Sequence, residues 1–112
     1  PFGTALLIGG VDEEGIHLSE TDPSGAYQSY HAGGIGSGRS TVCDFFESNW
    51  KPNMTLNAAI KLGLEALRTS LDSELNREAV EIAIIDKEGY RTLDRDDVNK
   101  NIDKLKPLDN DE

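Results

Sequence analysis

The turn Asp22-Pro23-Ser24-Gly25 constrains this chain more than any other stretch. Asp suits the first position of a tight turn, Pro fixes φ at the second, and Gly suits the last. The apolar stretches on either side should therefore run antiparallel. Before the turn, TALLIGGV (4–11) is apolar on both alternating faces, which predicts a strand buried on both sides. DEEG (12–15) reverses the chain. IHLSETD (16–22) then places Ile16 and Leu18 on one face and His17, Ser19 and Thr21 on the other, a half-buried strand. AYQSYHAG (26–33) supplies a third strand. Short connections make the three an antiparallel meander, unlike the strand–helix alternation of a parallel sheet.

The second half reads as helical with one hairpin. RSTVCDFFESNW (39–50) spaces Val42, Phe45, Phe46 and Trp50 for a short helix, and KPN (51–53) breaks it. TLNAAIKLGLEALRTSLDSEL (55–75) predicts a long helix capped by Thr55, with Leu56, Ile60, Leu64, Leu67 and Leu71 as its apolar stripe. After a loop at 76–78, AVEIAIID (79–86) is a strand. KEGY turns at Gly89, and YRTL (90–93) pairs back. The last helix has Asp94 as N-cap, Asp97 three residues on, and Leu93 able to pack on Val98 as a staple. Val98, Ile102 and Leu105 form its buried face. The order, three strands, two helices, two strands and one helix, indicates an α+β fold or a layered sandwich.

Length and charge narrow the classes. The 112 residues suit one domain. With 21 acidic and 11 basic residues the net charge is −10, and no Lys or Arg precedes Arg39. Such a chain repels phosphate backbones, so nucleic acid and anionic membrane are poor partners. Cys43 is alone, which excludes an internal disulfide and favours a reducing compartment. No apolar run is long enough to span a membrane, and nothing reads as a signal peptide. The chain begins with Pro1 rather than Met, the mark of a processed product or a fragment. PLDNDE at the end reads as a solvated tail.

AGGIGSGRST (32–41) resembles a phosphate-binding loop, with Gly33, four residues, then Gly38-Arg39-Ser40. Such a loop needs lysine as a compact point charge at the phosphates, and arginine is no substitute. It also needs a parallel sheet, whereas this loop follows a meander. The strand ending at Asp86 runs straight into a hairpin. A strand-to-helix hinge is therefore expected: Gly36 and Gly38 allow a close backbone turn, and Ser37 or Ser40 caps the helix. On that reading Gly36→Val harms folding and Arg39→Ala hardly matters. His17, His31 and Cys43 show no metal-binding spacing. Cys43 reads as a small core residue. The acidic runs Asp12-Glu13-Glu14 and Asp94, Asp96, Asp97 read as a turn and a helix start. Ser37, Ser40 and Thr41 have no nearby histidine base.

Taken in order, PFGTALLIGGVDEEG, TDPSGAYQSYHAGGIGSG, MTLNAAIKLGLEAL and LNREAVEIAIID resemble the C-terminal half of a proteasome α-type subunit. The likeness runs over about residues 1–105. It implies an Ntn-hydrolase-like αββα sandwich, with element order βββααββα. Strands near 4–31 would lie in one sheet and strands near 79–93 in the other, with the two intervening helices across an outer face. Residues 1–106 would be part of a single domain and 107–112 an acidic tail. The family forms the outer heptameric rings of the 20S core particle, which gate substrate entry and dock ATP-driven activators. Its partners are other α subunits, β subunits and ATPase activators. Its place is the cytoplasm, and also the nucleus in eukaryotes.

The resemblance implies no catalytic, cofactor-binding or metal residue in this chain. Catalytic β subunits share the fold and use an N-terminal threonine, but this chain starts with Pro1. They also carry Asp-x-x-Ser-Gly after the long helix. Here Asp72 is followed at that spacing by Leu75 and Asn76. The alternatives are an inactive or β-type Ntn hydrolase subunit, or a small nucleotide-binding domain using Gly33–Ser40. The family's gating helix, first strands and activator-pocket lysine would all precede Pro1. The chain by itself is then expected to leave apolar strand edges open and to need the missing half or a second copy.

Overall fold

The computed structural model describes residues 6–21, 27–29 (backbone only), 31–71 and 73–105. The turn at Asp22–Gly25, the position of Asp72 and the acidic tail lie outside these residues. Strand β1 (Leu6–Asp12) pairs antiparallel with β2 (Gly15–Thr21), and β2 pairs antiparallel with β3 (Tyr27–Ser29). The register sets Leu7 opposite Glu20 and Gly10 opposite His17. Helix α1 (Arg39–Asn49) and helix α2 (Leu56–Leu71) follow and pack on each other. A 3-10 turn at Arg77–Ala79 leads to the hairpin of β4 (Ala83–Asp86) and β5 (Gly89–Thr92), and helix α3 (Arg95–Asp103) closes the described chain. The three-stranded sheet and the hairpin are separate sheets that approach through β1 and β4.

The core lies on the C-terminal side. Leu64 of α2, Leu75, Val80, Val98 and Ile102 of α3, and Leu105 form one buried cluster, with Ile60, Ile82 and Leu93 packed against it. Two arginines bolt the 3-10 turn to α3. Arg77 donates to the Asn99 carbonyl at 3.2 Å and pairs with Asp103, while Arg95 donates to the carbonyls of Val80 and Arg77. Asn76 accepts from the Glu78 amide at 3.2 Å and caps the turn.

The start of α3 follows the sequence closely. Asp94 accepts from the Asp97 amide at 2.8 Å, and Leu93 packs against the cluster that holds Val98. Thr55 Oγ1 accepts from the Ala58 amide at 3.1 Å, the cap expected of α2. The β4–β5 turn has Gly89 at φ 113°, a conformation that L side chains rarely adopt. Asp86 steadies it by accepting from the Glu88 amide and from Arg91, each at 2.9 Å.

Several expectations fail for physical reasons. Helix α2 stops at Leu71 rather than 75, which frees Leu75 to turn back into the core. Its stripe is split: Leu64 is buried, but Leu56, Leu67 and Leu71 are exposed, while Leu62 and Ala66 are buried instead. One helix here serves two neighbours, α1 on one side and the C-terminal cluster on the other, so a single stripe does not describe it. The fourth strand begins at Ala83, because residues 77–79 form the 3-10 turn and Val80 caps it. The third strand covers only 27–29, and residues 31–33 are irregular. Strand β1 is not buried on both sides: Leu6 and Ile8 are each 52% exposed. In β2, Ile16 is 84% exposed, and the buried residues are Ser19 and Glu20. The expected apolar face of β2 thus opens at the hairpin tip and is covered only at its polar end.

Substitutions should separate these environments in the full-length protein. Leu64→Ala removes the centre of the buried cluster and is expected to lower unfolding stability by about 2–5 kcal/mol. Gly63→Ala should raise it by about 0.5–1 kcal/mol, since a mid-helix glycine is costly. The added Cβ meets nothing within 4 Å. Urea denaturation monitored by circular dichroism reads both, and a stable Leu64→Ala would contradict the assigned core.

Candidate functional site

The glycine loop is built from contact distances and one backbone angle. Gly36 has φ 106°, which requires glycine, and nothing lies near a Cβ there. Close approach occurs on either side of it. A Cβ on Gly34 would sit 2.9 Å from Val42 Cγ1, and one on Gly38 would sit 3.0 Å from Ser70 Cβ. The need for glycine at 36 is therefore conformational, while 34 and 38 allow the loop to lie against α1 and α2. Gly38 is itself the N-cap of α1, with no side-chain cap bond. The expected cap by Ser37 or Ser40 is thus corrected: the first turn closes through the Val42 amide on the Gly38 carbonyl at 3.0 Å. The Arg39 amide donates to the Gly36 carbonyl at 3.2 Å, which turns it away from any anion.

Arg39 is the larger correction. Its Nη2 lies 3.0 Å from Glu20 Oε2, where the arginine side chain is 44% exposed and the glutamate 3%. Glu20 Oε1 is buried without a hydrogen-bond partner. The sequence reading gave Arg39 no role because its partner lies 19 positions earlier, in a strand whose apolar face seemed to be Ile16 and Leu18. The only signal was that Glu20 shares strand parity with Leu18. Arg39→Ala would leave a buried carboxylate without its cation. Full burial of both partners would make that cost 3–5 kcal/mol, and the solvent around Arg39 reduces it to about 1–3 kcal/mol.

The histidines have other partners. His17 Nε2 is 2.9 Å from Asp12 Oδ1 on the β1–β2 hairpin, and the Glu14 amide donates to the same oxygen at 2.8 Å. The register explains this, since His17 faces Gly10 and Asp12 is its diagonal neighbour. Ligand atoms of Asp12, Glu14 and His17 lie within 4.8 Å of one another, all on exposed residues. Spacing rules for a single strand or helix missed that convergence across a turn. His31 stacks on Trp50, with ring centroids 4.5 Å apart. Cys43 is half-buried rather than a core residue, and lines a small cavity with His31, Phe46 and Trp50.

Two grooves flank α2. One, ≈ 460 Å³, lies between β2 and the helix pair and is lined by Ile16, Leu18, His31, Phe46, Trp50 and Leu62. The other, ≈ 390 Å³, lies between α2 and β4 and is lined by Leu56, Ile60, Leu64, Leu67, Ile84 and Ile85. Both offer apolar surface, suited to packing against protein rather than to acid–base chemistry. No helix among the described residues is long and apolar enough to cross a membrane.

The sequence that carries the antiparallel sheet, the glycine loop and the helix pair is matched by a family model. The model for proteasome subunits aligns with residues 1–85, more than half of the chain. The chain belongs to the proteasome subunit family. It is 43% identical over 112 residues to the proteasome subunit alpha of Methanopyrus kandleri, covering 100% of this chain and 46% of that protein. It is 43% identical over 107 residues to the proteasome subunit alpha of Methanothermobacter thermautotrophicus, and 46% identical over 107 residues to that of Methanobrevibacter smithii. Each of those two matches covers 94% of this chain and 43% of the relative. The chain thus spans less than half the length of these proteasome relatives.

Two exposed carboxylates give a prediction about pH. Asp86 is held below its ordinary range, first by the Arg91 hydrogen bond and then by the Glu88 amide. Asp12 is lowered in the same direction, first by His17 and then by the Glu14 amide. A depressed folded-state value means that each contribution is present above the ordinary carboxylate range and is lost as pH falls through the folded value. Arg91→Ala should raise the Asp86 titration midpoint towards that of an unpaired aspartate, while Asp12 stays put. Carboxyl-carbon NMR titration checks this, and an unmoved Asp86 would contradict the pairing.

Proposed function

We propose that the whole protein is a non-catalytic structural subunit in the outer ring of the 20S proteasome core particle. The observation that carries this reading is the 43% identity to a proteasome subunit alpha over the full length of this chain. On this reading the chain is the C-terminal half of an Ntn-hydrolase-like αββα sandwich. Residues 1–106 belong to a single domain, and 107–112 form its acidic tail. The three-stranded sheet and the β4–β5 hairpin would contribute to the two facing sheets, and α1 and α2 to one outer layer. The partners would be other α subunits in a heptameric ring, β subunits, and ATPase activators that dock on the ring while it gates substrate entry. The place of action would be the cytoplasm.

Structural details support the α-type reading over the alternatives. Where a β-type motif needs Ser-Gly, this chain has Leu75, which is buried in the core, and Asn76, which caps the 3-10 turn. Those positions serve packing. A nucleotide grip on Gly33–Ser40 would need its basic residue available to phosphate, but Arg39 reaches a buried carboxylate. The sheet before the loop is antiparallel, without the parallel strand–loop–helix unit that a phosphate loop requires.

Native mass spectrometry of the full-length protein tests the proposal. Heptameric rings are expected, which gain peptidase activity only when a catalytic β-type partner is added. A protein that stays monomeric with that partner present, or that cleaves peptides alone, would overturn it. Titration with ATP in a calorimeter should give no heat of binding, and micromolar binding lost in Gly38→Ala would favour the nucleotide alternative.

A further inference from the structure

We propose that the Glu20–Arg39 ion pair is a releasable clasp that seats the glycine loop and the head of α1 on β2, and so sets the width of the groove between them. Among the described residues helix α1 packs chiefly on α2, and the pair links its first residue to β2. The pair joins the first residue of α1 to the buried end of the central strand at 3.0 Å. Ile16 and Leu18 of β2 and Phe46, Trp50 and Leu62 of the helix pair together line the ≈ 460 Å³ groove.

The two partners are unequal, and that makes the clasp releasable. Glu20 is buried and its Oε1 accepts nothing, so the closed state leaves one strong acceptor unmet. Arg39 is nearly half exposed, so water reaches its guanidinium while the pair is closed. The loop behind it offers a place to bend, since Gly36 already occupies the left-handed region that only glycine adopts readily. Opening would hydrate Glu20, lift residues 33–38 as a unit and widen the groove. The C-terminal cluster shares no residue with the clasp and would stay closed. The clasp does not depend on the ring reading.

Hydrogen exchange read by mass spectrometry on the full-length protein tests it, comparing peptides over 33–42 with peptides over 95–105. In R39Q, exchange over 33–42 should rise about tenfold or more while 95–105 changes little, the pattern of local rather than global opening. E20Q/R39Q should exchange no faster than R39Q, because both changes act on one link. Unchanged protection over 33–42 in R39Q would overturn the clasp. So would an equal rise over both segments, or multiplying effects in the double variant. The unsubstituted protein gives a second test that does not depend on the variants folding. At urea concentrations below the unfolding transition, exchange over 33–42 should vary little with urea, as a local opening does, while exchange over 95–105 should rise as global unfolding does. The same urea dependence in both segments would overturn the proposal.

Discussion

The burial of Leu64 against Leu75, Val80, Val98, Ile102 and Leu105 is the interaction on which the rest of this chain depends. It draws together the middle of α2, both flanks of the 3-10 turn and the whole of α3. Among the described residues no comparable cluster forms around the three-stranded sheet, which is held by β1 against β4, by the glycine loop against α1 and α2, and by the Glu20–Arg39 pair. Among the described residues ten hydrophobic side chains are buried, while nine large ones are exposed, including Leu6, Ile8, Leu56, Leu67 and Ile85. Those nine lie mostly around the sheet and along the flanks of α2. Exposed apolar surface on that scale marks a face built to be covered.

Local chemistry was legible where a residue's role depends on its near neighbours. Thr55 and Asp94 cap their helices and Gly89 makes the hairpin turn, as the sequence predicts, and Leu93 packs against the cluster that holds Val98. Periodicity failed where an element serves two neighbours or none. The stripe of α2 divides between α1 and the C-terminal cluster, and the double-sided apolar pattern of β1 finds no cover on its Leu6–Ile8 face. Long-range polar pairing was illegible, because neither Glu20 nor Arg39 carries a local mark of the other. The Asp12–His17 contact lay between these cases, since it follows from the hairpin register once that register is known.

The glycine loop shows how position decides chemistry. Its spacing suggests a phosphate cradle, but the Arg39 amide bonds to Gly36 and the Arg39 side chain to Glu20. The same glycines let the backbone press on Val42 and Ser70. The loop thus acts as a hinge between sheet and helices, as its place after an antiparallel meander requires, and Arg39 belongs to that hinge. Membership of the proteasome subunit family fits a chain whose grooves are lined largely by apolar side chains.

The apolar residues exposed around the three-stranded sheet, Leu6, Ile8 and Ile16, form a surface suited to being covered by protein. Sedimentation velocity on the 112-residue chain at micromolar concentration, paired with calorimetric melting, tests it most directly. Self-association or a broad, weakly cooperative melt is expected. A sharp monomer boundary with a cooperative, reversible transition would contradict it.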